Sequence, residues 1–195
     1  MEYILPGYSL NMPPFCTWED AFSEEELDYM QQYAAIAELP GEVGRNNKNG
    51  SSVNLQVRRV KVSFKHNDPE HNWVYERLGD VISSLNSEYY QFDLTGFAEP
   101  VQLGNYSSKD QGTYNWHVDF GKGLARKLSL VMQLSYPDSY LGGDLEIQTG
   151  NKPVAVARKR GLIAVFPSWL LHRVTPVTEG SRQSLVTWIN GPRFK

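Results

Sequence analysis

Two spacings of apolar residues divide this chain. Leu27, Met30, Ala34 and Ala37 recur every three or four positions, the period of an amphipathic helix. Its start is marked by Ser23 and Glu26 as an S-x-x-E capping box, by Phe22 and Leu27 at the staple positions, and by Glu24, Glu25 and Asp28 at the positive end of the helix dipole. Pro40-Gly41 is the expected stop. A second helix is predicted after Asp68-Pro69, with Val74, Leu78, Val81, Ile82 and Leu85 on its buried side. Between the two, Gly41 to Asn54 (GEVGRNNKNGSSVN) offers little to bury and reads as a mobile loop, a candidate lid. Leu55 to Phe64 reads as a strand whose alternation slips between Arg58 and Arg59, which predicts a bulge.

From about Tyr90 the period becomes two. Leu128, Leu130, Met132 and Leu134 alternate with Lys127, Ser129, Val131 and Gln133, and Leu145 and Ile147 alternate with Asp144, Glu146 and Gln148. Leu162 to Phe166 is apolar on both faces, as in a strand sandwiched within a core. Turns are expected at Gly121, Gly142-Gly143, Gly150, Gly161 and Gly180. Many short strands after a helical lead-in predict a mainly β fold with flanking helices, a sandwich or jelly roll. The expected organisation is one domain over 1–195, with mostly helical support over 1–90 and the jelly-roll core over 91–195.

Composition narrows the functional classes. Nineteen basic against 22 acidic residues give a net charge of −3, which argues against a broad nucleic-acid surface. One cysteine, Cys16, excludes an intramolecular disulfide framework and fits a reducing compartment. The most apolar stretch, Leu162 to Leu171, contains Pro167 and Ser168 and falls far short of the roughly 20 residues that span a bilayer. The start, MEYILPGYSL, has no basic region before its apolar residues, unlike a secretory signal. The expectation is a soluble, cytoplasmic protein.

With four histidines, each can be weighed. His117 and Asp119 are two apart on a predicted strand and share a face, so they can offer a nitrogen and an oxygen to one metal. His172, on a later strand, is the candidate third ligand; two histidines and a carboxylate form the facial triad of non-haem Fe(II) oxygenases. His66-Asn67-Asp68 is also H-x-D, with His71 nearby, but Asp68 is explained as a cap and both histidines are expected at an exposed helix start. Arg182 shares strand parity with Ser184, Val186 and Trp188, and a guanidinium in a strand-rich core calls for an anion. Arg158, Lys159 and Arg160 read as a solvated hairpin turn, and Asp144 and Glu146 as outward-facing residues opposite Leu145 and Ile147.

Three segments together carry a family resemblance: Trp116-His117-Val118-Asp119, then Leu134-Ser135-x-Pro137-x-x-Tyr140-x-Gly142-Gly143-Asp144-Leu145, then His172-Arg173-Val174-Thr175-Pro176-Val177-x-x-Gly180-x-Arg182. Over about Tyr106 to Trp188 the chain resembles the 2-oxoglutarate/Fe(II)-dependent dioxygenases, closest to the PKHD-type hydroxylases and prolyl 4-hydroxylase-like enzymes. The resemblance implies a double-stranded β-helix (the distorted jelly roll of that superfamily) with N-terminal helices packed outside it. It implies His117, Asp119 and His172 as iron ligands and Arg182 as the partner of the distal carboxylate of 2-oxoglutarate. Tyr106, with Tyr114 as the alternative, and Gln133 take positions of further cosubstrate contacts; Arg126 and Trp188 take positions on the substrate side. Implied cofactors are Fe(II), 2-oxoglutarate as cosubstrate, and O₂, with ascorbate a further candidate. The implied reaction couples oxidative decarboxylation of 2-oxoglutarate to hydroxylation of a C–H bond, in a prolyl or other residue of a peptide or protein. Rival readings are the same chemistry on a small molecule or nucleobase, and a non-catalytic jelly-roll binding module. A zinc hydrolase could use the same ligands but would leave Arg182 without a role.

Overall fold

The computed structural model describes residues 12–46, 50–120 and 125–192; the stretch MEYILPGYSL and the turn at Gly121 lie outside them. The first part of the chain contains β1 (Cys16–Trp18), α1 (Glu24–Ala35), β2 (Leu39–Pro40), β3 (Val43–Asn46), β4 (Gly50–Ser52), β5 (Arg58–Arg59), β6 (Lys61–Lys65) and α2 (Asn72–Leu85). Then follow β7 (Gly96–Phe97), β8 (Val101–Ser107), β9 (Thr113–His117), β10 (Arg126–Gln133) and β11 (Tyr140–Gly142). The last are β12 (Leu145–Gln148), β13 (Pro153–Ala155), β14 (Ile163–Pro167), β15 (His172–Val174) and β16 (Val177–Asn190).

Among the described residues, nine strands form the larger sheet, in the order β1-β14-β10-β16-β8-β6-β2, with β7 and β11 also pairing to β16. Five form the smaller, β13-β12-β15-β9-β5, and β3 pairs with β4 alone. All pairings are antiparallel. This is the double-stranded β-helix expected of the chain. The alternation of β10 sorts its residues between two cores. Leu128, Leu130, Met132 and Leu134 pack outward against Leu27, Met30 and Ala34 of α1 and Leu78 and Ile82 of α2. Val131 faces inward with Ala164, Phe166, Leu145 and Ile147, between the sheets. The second face of β10 is therefore the interior of the roll, which is why it carries small and polar side chains without being wet.

The helices start much as their caps foretell. Ser23 accepts from the Glu26 amide while the Glu26 carboxylate accepts from the Ser23 amide. However, α1 ends at Ala35, short of Pro40-Gly41, because Leu39 and Pro40 pair with Val62 and Lys61 on the sheet edge. Asp68 caps the turn before α2, accepting from the amides of Glu70 and His71, and the helix itself opens at Asn72. The N-terminal part is also less helical than its pattern suggests: β1, β2 and β6 join the larger sheet and β5 the smaller.

Three local expectations are corrected. Gly41 to Asn54 is not one loop: Val43 pairs with Ser52 and Asn46 with Gly50, and 47–49 lie outside the described residues. Leu55 to Phe64 is not one bulged strand. Leu55 is exposed in a turn, Arg58 and Arg59 pair with β9, and from Lys61 the chain pairs with β8 in the other sheet. The slip in alternation marks a crossing between sheets. Finally, His71 and Arg160 are buried, not solvated. His71 sits against Tyr29 and Tyr33 with Nδ1 at 2.7 Å from Asp68 Oδ1. Arg160 is clamped by Glu24, Asp28, Gln31 and the Leu134 carbonyl.

Candidate active site

His117 and His172 stand directly opposite each other where β9 meets β15. Two residues of β15 then span three of β9, since Val174 pairs with Tyr114. That extra residue turns both Tyr114 and His117 to the interior, which strict alternation forbids for residues three apart. Their rings stack with centroids 3.4 Å apart. Asp119 follows the end of β9 and is pinned from the turn after β14, where the Ser168 carbonyl accepts from the amides of Asp119 and Phe120 at 2.9 Å.

The three side chains form one cluster. His117 Nε2 lies 3.8 Å from Asp119 Oδ1, His172 Nε2 lies 3.4 Å from Asp119 Oδ2, and the ligand atoms all fall within 4.8 Å of one another. Each imidazole donates from Nδ1 to a backbone carbonyl: His117 to Asn115 at 2.7 Å, His172 to Leu170 at 2.9 Å. This fixes the tautomers and leaves both Nε2 lone pairs aimed at the cluster. Ser129 donates to Asp119 Oδ2 at 2.7 Å and is itself 3.0 Å from Ser168 Oγ.

The electrostatics suit a divalent cation. Burial, followed by the proximity of His172, pushes the His117 imidazolium pKa down to about 3, so this ring is neutral. Burial opposes ionisation of Asp119, but the two histidines and the Ser129 hydroxyl outweigh it and hold the carboxyl far below its usual range. Burial likewise opposes charge on His172, and Asp119 outweighs it, raising that histidine. Two imidazole nitrogens and one carboxylate oxygen, oriented by second contacts and adjoining a cavity, fit Fe(II).

That cavity is a cleft partly open to solvent, with the cluster on one wall. Arg182, Ser184, Val186 and Trp188 of β16 line it together, as their parity foretold, along with Tyr106, Tyr114 and the three cluster residues. Arg182 is 1% exposed; it donates to Gln133 Oε1 at 2.9 Å and weakly to Ser184 Oγ, and its Nε has no partner. Its guanidinium lies 5.4 Å from the Tyr106 ring. Burial pushes the Tyr114 hydroxyl up to about 12. Gln133 does not line the cavity; it braces Arg182 from behind. Arg126 is gripped by both carboxylate oxygens of Glu99, lies 3.8 Å over the Trp188 ring, and reaches toward Asp119.

Reasoning from sequence missed Ser129, Ser168, Glu99, Gln102 and Arg58. Gln102 and Arg58 line the cavity, Ser129 and Ser168 orient Asp119, and Glu99 orients Arg126. Ser129 had a signal, a polar residue at the inward parity of an apolar strand. Arg58 had another, lying where the alternation of apolar residues slips.

Comparison with known proteins agrees with this geometry. The family model for the 2OG-Fe(II) oxygenase superfamily matches residues 101–190. A PKHD-type hydroxylase of Hyphomonas neptunium is 35% identical over 167 residues, covering 80% of this chain and 70% of that protein. One from Shewanella sp. strain MR-7 is 28% identical over 179 residues, covering 87% and 75%. Among solved structures, a Trichoplax adhaerens prolyl hydroxylase in complex with a hypoxia inducible factor peptide fragment superposes with a TM-score of 0.74 at 19% identity, over 91% of this chain and 84% of that one. A Pseudomonas putida prolyl-4-hydroxylase gives 0.70 at 16% identity, over 92% and 94%. The chain belongs to the PKHD-type hydroxylases of the 2OG-Fe(II) oxygenase superfamily, and is a 2-oxoglutarate-dependent dioxygenase.

Proposed function

We propose that this oxygenase hydroxylates a C–H bond of a prolyl or other residue within a peptide or protein. The observation that carries the oxygenase chemistry is the pairing, across one cavity, of the His117–Asp119–His172 cluster with a buried Arg182 that meets no carboxylate among the described residues. When bound, Fe(II) supplies oxidative decarboxylation of 2-oxoglutarate by O₂, coupled to C–H hydroxylation. The chain's own groups do the rest. His117, Asp119 and His172 hold the metal, kept in place by Asn115, Leu170, Ser129 and Ser168. Arg182 takes the distal carboxylate of 2-oxoglutarate, oriented by Gln133, with Tyr106 and then Tyr114 as hydroxyl contacts. Arg126 and Trp188 border the substrate, and apolar Val131, Leu145 and Val186 keep water from the reacting centre. Peptide substrates are favoured by the fold shared with the Trichoplax enzyme, which binds a peptide fragment. Among the described residues no helix is long and apolar enough to cross a membrane, and the buried free thiol of Cys16 fits a reducing cytoplasm.

The test is an anaerobic titration of metal-free protein with Fe(II) and 2-oxoglutarate, following the visible metal-to-ligand charge-transfer band. A band is expected in wild type and none in His172→Ala. Arg182→Ala should need about 10- to 100-fold more 2-oxoglutarate, the loss of charge-assisted hydrogen bonds worth about 1.5–3 kcal/mol. A folded, iron-loaded wild type without the band overturns the oxygenase mechanism. Proline-bearing peptides that gain one oxygen by mass spectrometry support the substrate class, whereas turnover of small molecules alone moves it to the rival reading.

A further inference from the structure

Three described arginines are buried: Arg58, Arg160 and Arg182. Arg160 meets two carboxylates, those of Glu24 and Asp28. Arg58 and Arg182 meet none among the described residues, and both line the same cavity. A guanidinium held 7% exposed without an anion is costly, and a fold tolerates it where a ligand supplies the charge. For Arg182 that anion is the cosubstrate. Arg58 needs another.

The two cations come from different walls. Arg182 lies on β16, opposite Tyr106 in the larger sheet. Arg58 lies on β5, opposite Tyr114 in the smaller, with its guanidinium 4.7 Å from the Tyr114 ring, which in turn stacks on His117. Arg58 is thus one aromatic ring removed from a metal ligand. Among the described residues its side chain makes one hydrogen bond, from Nη1 to the Glu42 carbonyl at 2.8 Å, and its Nε has no partner. The backbone leaves room for it: a Cβ on Gly41 would stand 2.8 Å from Nε and 3.0 Å from Cζ. Arg182 would take one carboxylate of 2-oxoglutarate, and the other would have the metal that His117, Asp119 and His172 would hold, so the anion left for Arg58 belongs to the other reactant.

We propose that Arg58 is a specificity residue that receives a carboxylate carried by the substrate, so that this hydroxylase selects acidic targets. The planar fork of arginine matches a carboxylate in two parallel hydrogen bonds. The proposal names the substrate class of the site above and rests on that reading.

Three pairs of ligands test it on the full chain, held anaerobically with Fe(II) and 2-oxoglutarate. They are proline peptides flanked by Asp or Glu against Asn or Gln, peptides with a free against an amidated C-terminus, and free L-proline against L-prolinamide. In wild type the carboxylate-bearing member of at least one pair should bind ten-fold tighter or better, and the responding pair identifies whether side chain, terminus or free amino acid supplies the group. Arg58→Gln should abolish the preference while its charge-transfer midpoint for 2-oxoglutarate stays within about three-fold. Arg58→Lys, which keeps the charge and loses the fork, should retain part of it, and serves if the Gln variant fails to fold. No preference in wild type, non-binding included, overturns the proposal. So does an unchanged preference in Arg58→Gln, or a ten-fold weaker 2-oxoglutarate midpoint there, which would assign Arg58 to the cosubstrate. A missing charge-transfer band in wild type sinks the oxygenase reading itself; a band without carboxylate selectivity sinks only the role of Arg58.

Discussion

The Asp119 carboxylate owes its orientation to a hydroxyl that binds no metal. Ser129→Ala removes the 2.7 Å bond to Oδ2 and leaves the apolar packing of β10 intact. Fe(II) affinity should fall about 10- to 100-fold, as for other supporting contacts around metals, while urea unfolding of the metal-free protein loses about 1–3 kcal/mol with the buried hydrogen bonds; metal titration beside denaturation checks both. Gly143 is a second sensitive point. Its φ is +66°, and a Cβ there would lie 2.9 Å from Val177 Cγ2 and 3.1 Å from Arg182 Cδ. Gly143→Ala should cost about 1–3 kcal/mol in urea unfolding and weaken 2-oxoglutarate through the displaced Arg182. At this scale the sequence was informative where a residue is chemically rare and its parity fixed. The metal-binding cluster was readable from four histidines and the second of two H-x-D triplets, the first being explained by capping, and Arg182 from its place on an inward-facing row. Ser129 and Arg58 carried a hint in their positions, but their roles and that of Glu99 were not legible, because they depend on partners from other strands and periodicity carries no information about which strand lies alongside.

Helix α1 is fastened to the sheet by polar contacts as well as its apolar stripe. Arg160, in the turn before β14, reaches Glu24, Asp28 and Gln31 of α1 and the carbonyl of Leu134 beyond β10. Arg160→Met should lower stability by about 2–3 kcal/mol, the scale of a few charge-assisted hydrogen bonds, and should speed amide exchange in α1 more than in α2. The same residue illustrates what an element-level reading can miss. Its neighbours Arg158 and Lys159 are partly or fully exposed, so a run of three basic residues looked like a solvated turn although its last member points inward. The apolar faces of both helices and the double character of β10 were legible, since burial imposes a period. The change of sheet at Val60 was not, because crossing from one sheet to the other costs one residue of phase, just as a bulge does.

At the scale of the molecule, ligands that bind only the folded chain add their binding free energy to its stability. Fe(II) and 2-oxoglutarate, each at about 100 times its dissociation constant, should each contribute about 2.7 kcal/mol, together a rise in Tm of roughly 10–20 °C for a chain of this size. Anaerobic thermal scans should show that rise in wild type and lose it in His117→Ala. The order of the larger sheet has a different consequence, for how the protein is made. Strand β16 lies between β10 and β8 and follows every other described strand in the sequence. During synthesis, β1-β14-β10 and β8-β6-β2 can each assemble first, but as two half-sheets with bare inner edges. Those edges carry Leu103, Leu128 and Leu130, apolar surface that invites pairing with other chains. A nascent chain stays in that aggregation-prone state until Asn190 has left the ribosome, so slower translation of β16 prolongs the hazard, and a chaperone has most to shield just before it arrives.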